Sequence, residues 1–539
     1  MNIYTIGVLC CILIYIIIGF YAGRKIENVE DYYVCGRNAP TIMIAGTMFA
    51  SMLSTNGFMG DTAYCFTGNI TTMILINALC ACGYVVGPLL FGRYLRRAKV
   101  NTMPSYFWRR FNSKRIRRFA GITTVISLSA YLLSVIQGTG ILMETLTGYD
   151  KTICLLIAWF CITFFTIYSG SRGVVITDTL MCIFFLAATI IAGPFVFNAS
   201  GGLGNLITTL ATSPDTPAGL LDYHGNTGGK SPMDMIMYAI TIGCVWMLAV
   251  SVSPWQAGRN MMAKSEHVIF RSGAISAFLT VFFLLYLYLI AISIIPLHPN
   301  IDKPEKILIW AAFEIMPQLI GVVLLTGIMT AGLSSASTFL SVVSFSISSD
   351  VMDINFKDEK AQLEFTRFAV LVVGLMALGL ACLELSSIRI ITWFASTIIA
   401  SSWGVVAIAS VWSKKLTERG AYYSMVGGFF CYLIAKILKE VAGLPLNNLL
   451  DPFFIGIALS AVLAILGSRG QKRTPEEAAF HTKLHEVPAS EIVISDYKKD
   501  TIYGWGLVGA GILISSIFII YWAIPYNTIK GIDLLSFLN

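Results

Sequence analysis

Runs of about twenty mostly apolar residues recur along nearly the whole chain, and each is long enough to cross a bilayer as a helix. Backbone groups inside a bilayer must be hydrogen-bonded within the protein, so such runs are expected to fold as helices. The chain is 56% hydrophobic and only 12% charged. We therefore predict an all-α, polytopic membrane protein with about fourteen spans, at residues 3–22, 41–66, 72–92, 119–145, 152–169, 174–196, 234–257, 273–296, 317–348, 366–384, 388–412, 421–441, 452–468 and 502–524.

Basic residues in the short loops indicate how the spans are oriented. The loop after the third span carries many Lys and Arg residues between Arg93 and Arg118, whereas the 197–233 loop has only Lys230. The first of these loops is therefore expected in the cytoplasm, and both termini outside a plasma (cytoplasmic) membrane. The net charge of +7 is interpreted as a topology signal and a contact with anionic lipid, not as evidence for nucleic-acid binding.

Residues 327–350 form a span that is unusually rich in hydroxyl side chains. Ser334 and Thr338 are four residues apart and share a helix face, as do Ser334 and Ser337, while Ser335 lies about 100° away. Hydroxyls and freed backbone carbonyls suit a hard cation such as Na⁺. The alternative is that these side chains only bond the carbonyl four residues earlier or allow close helix packing.

The second span contains a segment that should weaken its helix. Asn56, Gly57 and Gly60 lie in the middle of this apolar run, together with several hydroxyl residues. An unwound helix exposes the carbonyls and half-helix ends that transporters use for ions and substrate. The alternative is that the glycines only permit tight packing.

Charged residues within spans are few, and each is therefore informative. Asp178 interrupts the sixth span and Asp61 lies near the outer end of the second, whereas Glu384 falls near a span end. No histidine lies deep in a span, so a histidine proton relay has no support. Asp61 would favour an amine or quaternary ammonium if it faced a pocket. Arg259 ends the seventh span and should face cytoplasmic phosphates or a neighbouring acidic residue.

Four stretches resemble the sodium:solute symporters, which include bacterial proline, pantothenate, sialic acid and galactose carriers. They are GRNAPTIMIAGTMFASMLSTNGFMG, SGSRGVVITDTLM, the Arg259 to Arg271 loop, and GIMTAGLSSASTFLSVVSFSISSD. The resemblance implies a leucine-transporter-type fold of two inverted five-helix repeats, with broken helices at spans 2 and 7. It divides the chain into an extra N-terminal span and loop (1–40), repeat one (41–196), an extracellular loop (197–233), repeat two (234–413) and C-terminal spans (414–539) with a cytoplasmic linker (469–501).

The same resemblance implies two sets of ion ligands. The first sodium site would use the carbonyls of Ala50, Leu53 and Ala331 with the hydroxyls of Ser334 and Ser335. Some members of the family have a second site, and its counterparts here would be Asp178, Ser337 and Thr338.

The substrate positions depart from those of the better-known carriers. Met52 stands where proline carriers have an Asp, while Gly57 and Trp246 replace the Gln and Asn of sugar carriers. A sugar is therefore disfavoured. The implied substrate residues lie on spans 2, 3, 7 and 11: Ser54, Asn56, Gly57, Phe58, Asn77, Trp246, Val250, Ser253, Thr392, Ala395 and Ser396.

These features predict a sodium-coupled secondary symporter that imports a small organic solute by alternating access. The solute would be a monocarboxylate, an amino acid or an ammonium compound, and the partners would be Na⁺, that solute and the lipid bilayer. No phosphate-binding loop is present, and we expect no enzymatic activity, no cofactor besides the coupling ion, and a monomer. Two alternatives remain open: a proton-coupled transporter of the same fold, in which Asp178 would carry the proton, and an uncoupled channel or sensor.

Overall fold

The structure is a computed structural model that describes residues 3–23, 28–352, 354, 356–383, 388–444 and 451–531. Glu384 lies outside the described residues, as do Arg24 and Lys25 of the first predicted cytoplasmic loop. Within the described residues the regular elements are helices, as predicted. The first half of the chain forms α1 (Ile3–Gly23), α2 (Val29–Val34), α3 (Thr41–Thr55), α4 (Thr62–Tyr64), α5 (Ile70–Gly87), α6 (Arg93–Arg97), α7 (Met103–Phe111), α8 (Lys114–Thr147), α9 (Lys151–Ala199), α10 (Leu206–Thr212) and α11 (Pro232–Val252).

The second half of the chain continues in the same manner. It forms α12 (Glu266–Ser293), α13 (Ile307–Glu314), α14 (Gln318–Ser346), α15 (Glu359–Ala381), α16 (Ile388–Trp412), α17 (Glu418–Glu440), α18 (Pro452–Ser468), α19 (Pro475–His485), α20 (Ile494–Phe518) and α21 (Ile524–Ile529). The segment proposed as a cytoplasmic linker, 469–501, thus contains α19 and the start of α20.

Among the described residues, 11 helical stretches are long and apolar enough to cross a membrane, and two shorter apolar helices accompany them. The stretch Thr41–Arg97 is 57 residues long and contains two of the predicted spans. Helix α9 likewise contains predicted spans 5 and 6, which are joined at a kink at Gly170 (φ 53°) rather than by a loop. The number fourteen therefore remains a prediction.

Burial separates the central helices from the peripheral ones. In the stretch Gln318–Val351, which contains α14 and the hydroxyl-rich segment, 83% of the apolar membrane-length segment is buried. The corresponding share in the last span, Ile494–Ile529, is 6%. Because α14 packs against α3, α8 and α9, its many hydroxyls face protein rather than lipid. The last span, by contrast, leaves most of its apolar side chains exposed.

Two central helices are interrupted where the sequence predicted broken spans. In α3, Ser54 has φ +49° and ψ −176°, a conformation that costs a non-glycine residue about 1–3 kcal/mol. Helix α11 ends at Val252, Ser253 is extended, and a short 3-10 turn follows at Ala257–Met262. Gln256, in the turn after α11, connects this turn to α3, because its Nε2 donates to the carbonyl of Met48 at 3.0 Å.

Part of the basic loop is built into the fold rather than left for lipid. Arg97 is buried against Glu266, with Nη2 and Oε2 2.7 Å apart. Arg110 is fully buried and donates from Nε to the carbonyl of Ser410 at 2.6 Å. Burial lowers the pKa of Arg110 to about 10, so its guanidinium stays charged at neutral pH. These two arginines therefore fasten the loop to α12 and α16.

Candidate functional site

The hydroxyl of Ser335 lies at the centre of a group of backbone carbonyls, called here the carbonyl cluster. Its Oγ is 3.2 Å from the oxygen of Ala50, 3.3 Å from that of Ser51 and 3.1 Å from that of Ala331. A hydroxyl has one proton to donate, so acceptors outnumber donors. The break at Ser54 also disturbs the helical N–H groups that would bond the carbonyls of Ala50 and Ser51. Such a surplus of neutral oxygen in a buried place suits a desolvated cation.

Four of the five residues predicted for the first sodium site take part in this region. Ala50, Ala331 and Ser335 belong to the carbonyl cluster, and Ser51 joins them without having been predicted. Ser334 is buried, and among the described residues its Oγ has no hydrogen-bond partner at normal distance, although it faces the carboxylate of Asp178. The carbonyl of Leu53 instead accepts a bond from the N–H of Asn56.

The second predicted ion site already contains a cation from the protein itself. Asp178 is fully buried, and its Oδ2 accepts from the hydroxyl of Thr47 at 2.6 Å and lies 3.5 Å from Nη2 of Arg259. Arg259 also donates to the hydroxyl of Thr338, which is 3.5 Å from the same carboxylate oxygen. Ser337 is not part of this group, because its Oγ bonds the carbonyl of Ser334.

Arg259 therefore faces an acidic residue, one of the two environments predicted for it. Arg259 lies inside the protein because α11 ends before it, at Val252. The chain then turns at Pro254 instead of continuing as a helix. Asp178 Oδ1 and Arg259 Nε are both buried without a hydrogen-bond partner among the described residues. The pair is thus incompletely satisfied, which leaves room for rearrangement.

A small closed cavity, called here the solute cavity, lies beside the break in α3. Its volume is about 20 Å³, which holds roughly one water molecule. A solute can therefore enter only if surrounding helices move. The cavity is lined by Phe49, Met52, Leu53, Asn56, Gly57, Asp61, Met73, Ile76, Asn77, Trp246, Leu284 and Trp393.

Four of the residues predicted to bind substrate line this cavity: Asn56, Gly57, Asn77 and Trp246. The others lie elsewhere. Phe58 packs edge-on against Phe185 and Phe283, and Ser253 accepts from the N–H of Gln256. On α16, Thr392 donates to Ser134, Ala395 accepts from Ser127, and Ser396 bonds the carbonyl of Thr392. Ser54 Oγ accepts from the N–H of Asn56, and Val250 is buried in the core.

Asp61, which the sequence singles out, lines the cavity, so the first of the two positions considered for it is the one that the structure has. Other residues near this site were not found from the sequence. Trp393 lines the cavity on the α16 side, one position from the predicted Thr392. Tyr131 packs edge-on against Trp246 and Trp255 and stacks on Phe339. The aromatic residues on separate helices carried no local spacing that could have placed them together.

A much larger cavity, of about 680 Å³, opens on the side of the basic loop and is lined by Lys99, Arg109 and Arg117 among others. It shares Asn101 and Thr102 with a smaller cavity that is lined by Arg259 and Thr338. The two cavities therefore adjoin each other between Arg259 and the basic loop. On the opposite side of the solute cavity, Arg389 stacks on Tyr64 and Trp393, with its Cζ 3.7 Å and 4.4 Å from the ring centroids.

The sequence of the chain matches known transporters over most of its length. The model of the "Sodium:solute symporter family" matches residues 32–428. The sodium/proline symporter of Escherichia coli (strain K12) is 24% identical over 507 residues, covering 89% of this chain and 97% of that protein. The sodium/proline symporter of Staphylococcus aureus (strain JH9) is 25% identical over 514 residues, covering 88% of this chain and 94% of that protein.

Solved structures agree with the sequence matches. A Na⁺-coupled sialic acid symporter superposes with a TM-score of 0.73 at 18% identity, covering 87% of this chain and 97% of that one. Mhp1, a nucleobase-cation-symport-1 family transporter, superposes with a TM-score of 0.53 at 12% identity, covering 85% of this chain and 99% of that one. The predicted leucine-transporter-type fold is thereby confirmed. With interrupted helices around a carbonyl cluster and a family model that matches most of the chain, this protein belongs to the sodium:solute symporter family of secondary transporters.

Proposed function

We propose that the chain imports a small organic solute together with Na⁺, with Na⁺ bound at the carbonyl cluster and the solute bound in the solute cavity. The observation that carries this proposal is the hydroxyl of Ser335, which faces three carbonyl oxygens beside a break in α3. The helical turn Asn56–Asp61, which directly follows the break in α3, supplies Asn56 and Gly57 to the solute cavity. Because Na⁺ would be bound by α3 and the solute by the turn that continues it, each can favour the same conformation and so couple the two gradients.

The membrane arrangement is part of the proposal. A multi-pass protein of the plasma membrane fits the many apolar helices, and the basic 93–118 loop favours the cytoplasm for the side of the larger cavity. Both termini would then lie outside. In this arrangement the stacked side chains of Arg389, Tyr64 and Trp393 would lie on the outer side of the solute cavity, and the larger cavity would open to the cytoplasm.

A second sodium ion is proposed at Asp178 and Thr338, with Ser337 close by along α14. Two cations compete for the carboxylate of Asp178 under this proposal, because the guanidinium of Arg259 already lies 3.5 Å from it. Binding of the second ion would require Arg259 to move away. Na⁺ would then couple to the turn that follows α11 as well as to α3.

The coupling ion is tested by uptake of radiolabelled L-proline into proteoliposomes, with L-proline as the first probe because relatives are sodium/proline symporters. We expect accumulation under an inward Na⁺ gradient and none under an inward proton gradient in Na⁺-free buffer. Small carboxylates and other amino acids are tested next in the same way. Accumulation driven by protons alone would contradict Na⁺ coupling, and equilibration without accumulation under either gradient would indicate a channel.

The solute class gives a second expected result. The cavity offers aromatic and apolar walls with few polar groups, and each solute hydroxyl buried without a partner costs about 1–3 kcal/mol. We therefore expect no Na⁺-driven uptake of glucose or galactose. Replacing Trp246 with Ala should weaken solute uptake at unchanged Na⁺ dependence, whereas Trp246→Phe should retain more of it. Robust sugar transport by the purified protein would contradict this prediction.

A further inference from the structure

Three aspartates are buried within the described spans, and they differ in how their charge is balanced. Asp178 lies 3.5 Å from Arg259, and Asp350 lies 2.9 Å from Arg117. Asp61 has no basic side chain within ion-pair distance among the described residues, although it is only 9% exposed. A carboxylate at this depth is costly, so an unpaired one in a transporter indicates a ligand.

The groups around Asp61 leave acceptors without donors. Its Oδ1 accepts from Nδ2 of Asn56 at 3.3 Å, and its Oδ2 accepts from the hydroxyl of Tyr288 at 3.5 Å. Both distances exceed the usual range for strong hydrogen bonds. Oδ1 of Asn56 is buried and has no hydrogen-bond partner among the described residues. If the Asn56 amide were flipped, its Oδ1 would face Oδ1 of Asp61, and two acceptors would repel each other. The hydrogen bond to Asp61 therefore supports the orientation of the Asn56 side chain.

These acceptors face the solute cavity rather than the interior of a helix. Asn56 and Asp61 both line it, opposite Asn77, whose Nδ2 donates to the Tyr288 hydroxyl at 2.6 Å. Gly60 lies between them, and a Cβ placed there would be 2.7 Å from Oδ1 of Asn56. The space in front of Asn56 and Asp61 is therefore open because residue 60 is a glycine.

A donor without an acceptor lies at the outer edge of the same cavity. The guanidinium of Arg389 stacks on Trp393, which lines the cavity, and its Nη1 is buried without a hydrogen-bond partner among the described residues. Arg389 lies close to Asp61, because a Cβ placed at the adjacent Gly60 would be 3.7 Å from Cβ of Arg389. A guanidinium suits a carboxylate because it donates two parallel hydrogen bonds.

We infer that Asp61 and Asn56 bind the protonated amine of the solute and that Arg389 binds its carboxylate. The inference rests on the proposed function and narrows the solute to a zwitterionic amino acid whose nitrogen carries at least two N–H groups. The neutral oxygen of Asn56 calls for a hydrogen-bond donor on the solute, and a quaternary ammonium, which has no N–H group, would leave it unpaired. A monocarboxylate without an amine would leave Asp61 unpaired.

The test on the unmodified protein is competition against Na⁺-driven uptake of L-proline. The competitors are pyrrolidine, which lacks the carboxylate, cyclopentanecarboxylate, which lacks the amine, and N,N-dimethylproline, which has no N–H group. Unlabelled L-proline should compete best, and each analogue at least about tenfold more weakly. Competition by cyclopentanecarboxylate or N,N-dimethylproline as strong as that by proline would overturn the inference, while Na⁺-driven uptake itself would leave the proposed function standing.

Variants assign the two ends of the solute to individual residues. Asp61→Asn should raise the proline concentration for half-maximal uptake by at least about tenfold, and Arg389→Gln should abolish the preference for proline over pyrrolidine. Cys65→Ala is the matched control, because Cys65 is buried one turn beyond Asp61 and does not line the cavity. Stabilisation by Na⁺ alone should persist in all three variants, which shows that they are folded. An unchanged half-maximal concentration in folded Asp61→Asn would contradict the assignment.

Discussion

Replacing Ser335 with Ala is expected to raise the Na⁺ concentration for half-maximal solute uptake by about tenfold or more, because the carbonyl cluster loses its hydroxyl ligand. Removing one buried polar partner costs about 1–3 kcal/mol, and 1.4 kcal/mol is a factor of ten in affinity. The measurement is uptake into proteoliposomes at a fixed membrane potential over a series of Na⁺ concentrations. Expression and thermal stability in Na⁺-free buffer should change much less than the Na⁺ dependence does.

Two further variants on α14 separate ion binding from packing. Ser344→Ala is the matched control, since Ser344 is equally buried and, within the part of the chain that the structure describes, its Oγ bonds only the carbonyl of Leu340, one turn earlier. It should leave Na⁺ dependence unchanged. Ser334→Ala should shift it in the same direction as Ser335→Ala. Among the residues that the structure describes, the Oγ of Ser334 has no hydrogen-bond partner at normal distance to lose, so such a shift would report a ligand to the ion. Unchanged Na⁺ dependence in both Ser334→Ala and Ser335→Ala would contradict the assignment.

The sequence predicted the helical class of the fold and the break in α3 for reasons that are local, whereas the break after α11 and the arrangement of the helices were implied by the family resemblance. Asn56, Gly57 and Gly60 weaken a helix wherever they stand, and the structure has its break in the same segment. The residue that takes the unusual conformation is nevertheless Ser54, with φ +49°. The composition of this segment predicts a weak helix, but it does not predict that Ser54 is the residue with the non-helical conformation.

The substrate residues were harder to predict because their positions depend on helix rotation. On α16 the resemblance indicated Thr392, Ala395 and Ser396, whereas Trp393 lines the cavity. Adjacent residues on a helix point about 100° apart, so a small rotation exchanges one for the other. Thr392 and Ala395 face α8 instead, through hydrogen bonds with Ser134 and Ser127.

The partners of the charged residues could not be identified from the sequence, because they are far apart in the chain. In the sequence, Arg259 is simply a basic residue at the end of a predicted span. It lies beside Asp178 because the chain turns after Val252. Asp61 and Arg389, which do not form an ion pair but are proposed to hold opposite ends of the solute, come from different halves of the chain. The basic 93–118 loop was interpreted through its total charge, yet Arg97 and Arg110 are buried with partners inside the protein.

The Asp178–Arg259 pair gives the second large expected effect, because removing either partner leaves the other charge buried alone. Breaking such a pair costs about 3–5 kcal/mol. Arg259→Gln should therefore lower the unfolding temperature in Na⁺-free buffer, and Na⁺ should restore it by more than it stabilises the unmodified protein, since the ion takes the place of the guanidinium beside Asp178. Asp178→Asn should also be destabilised, but without recovery in Na⁺ beyond that of the unmodified protein.

The number of ions follows from the same two variants. If a second Na⁺ binds at Asp178, the Hill coefficient for Na⁺ in uptake should be near two in the unmodified protein and near one in Asp178→Asn, with the carbonyl cluster still occupied. The double variant Asp178→Asn with Arg259→Gln should regain most of the stability lost by the single changes, because no unpaired charge remains, yet it should keep a coefficient near one. Charge movement that corresponds to one Na⁺ per solute in the unmodified protein would argue against the second site, as would an Arg259→Gln protein that gains no extra stabilisation from Na⁺. In that case Arg259 would be the permanent counter-ion of Asp178, and the carbonyl cluster alone would couple Na⁺ to the solute.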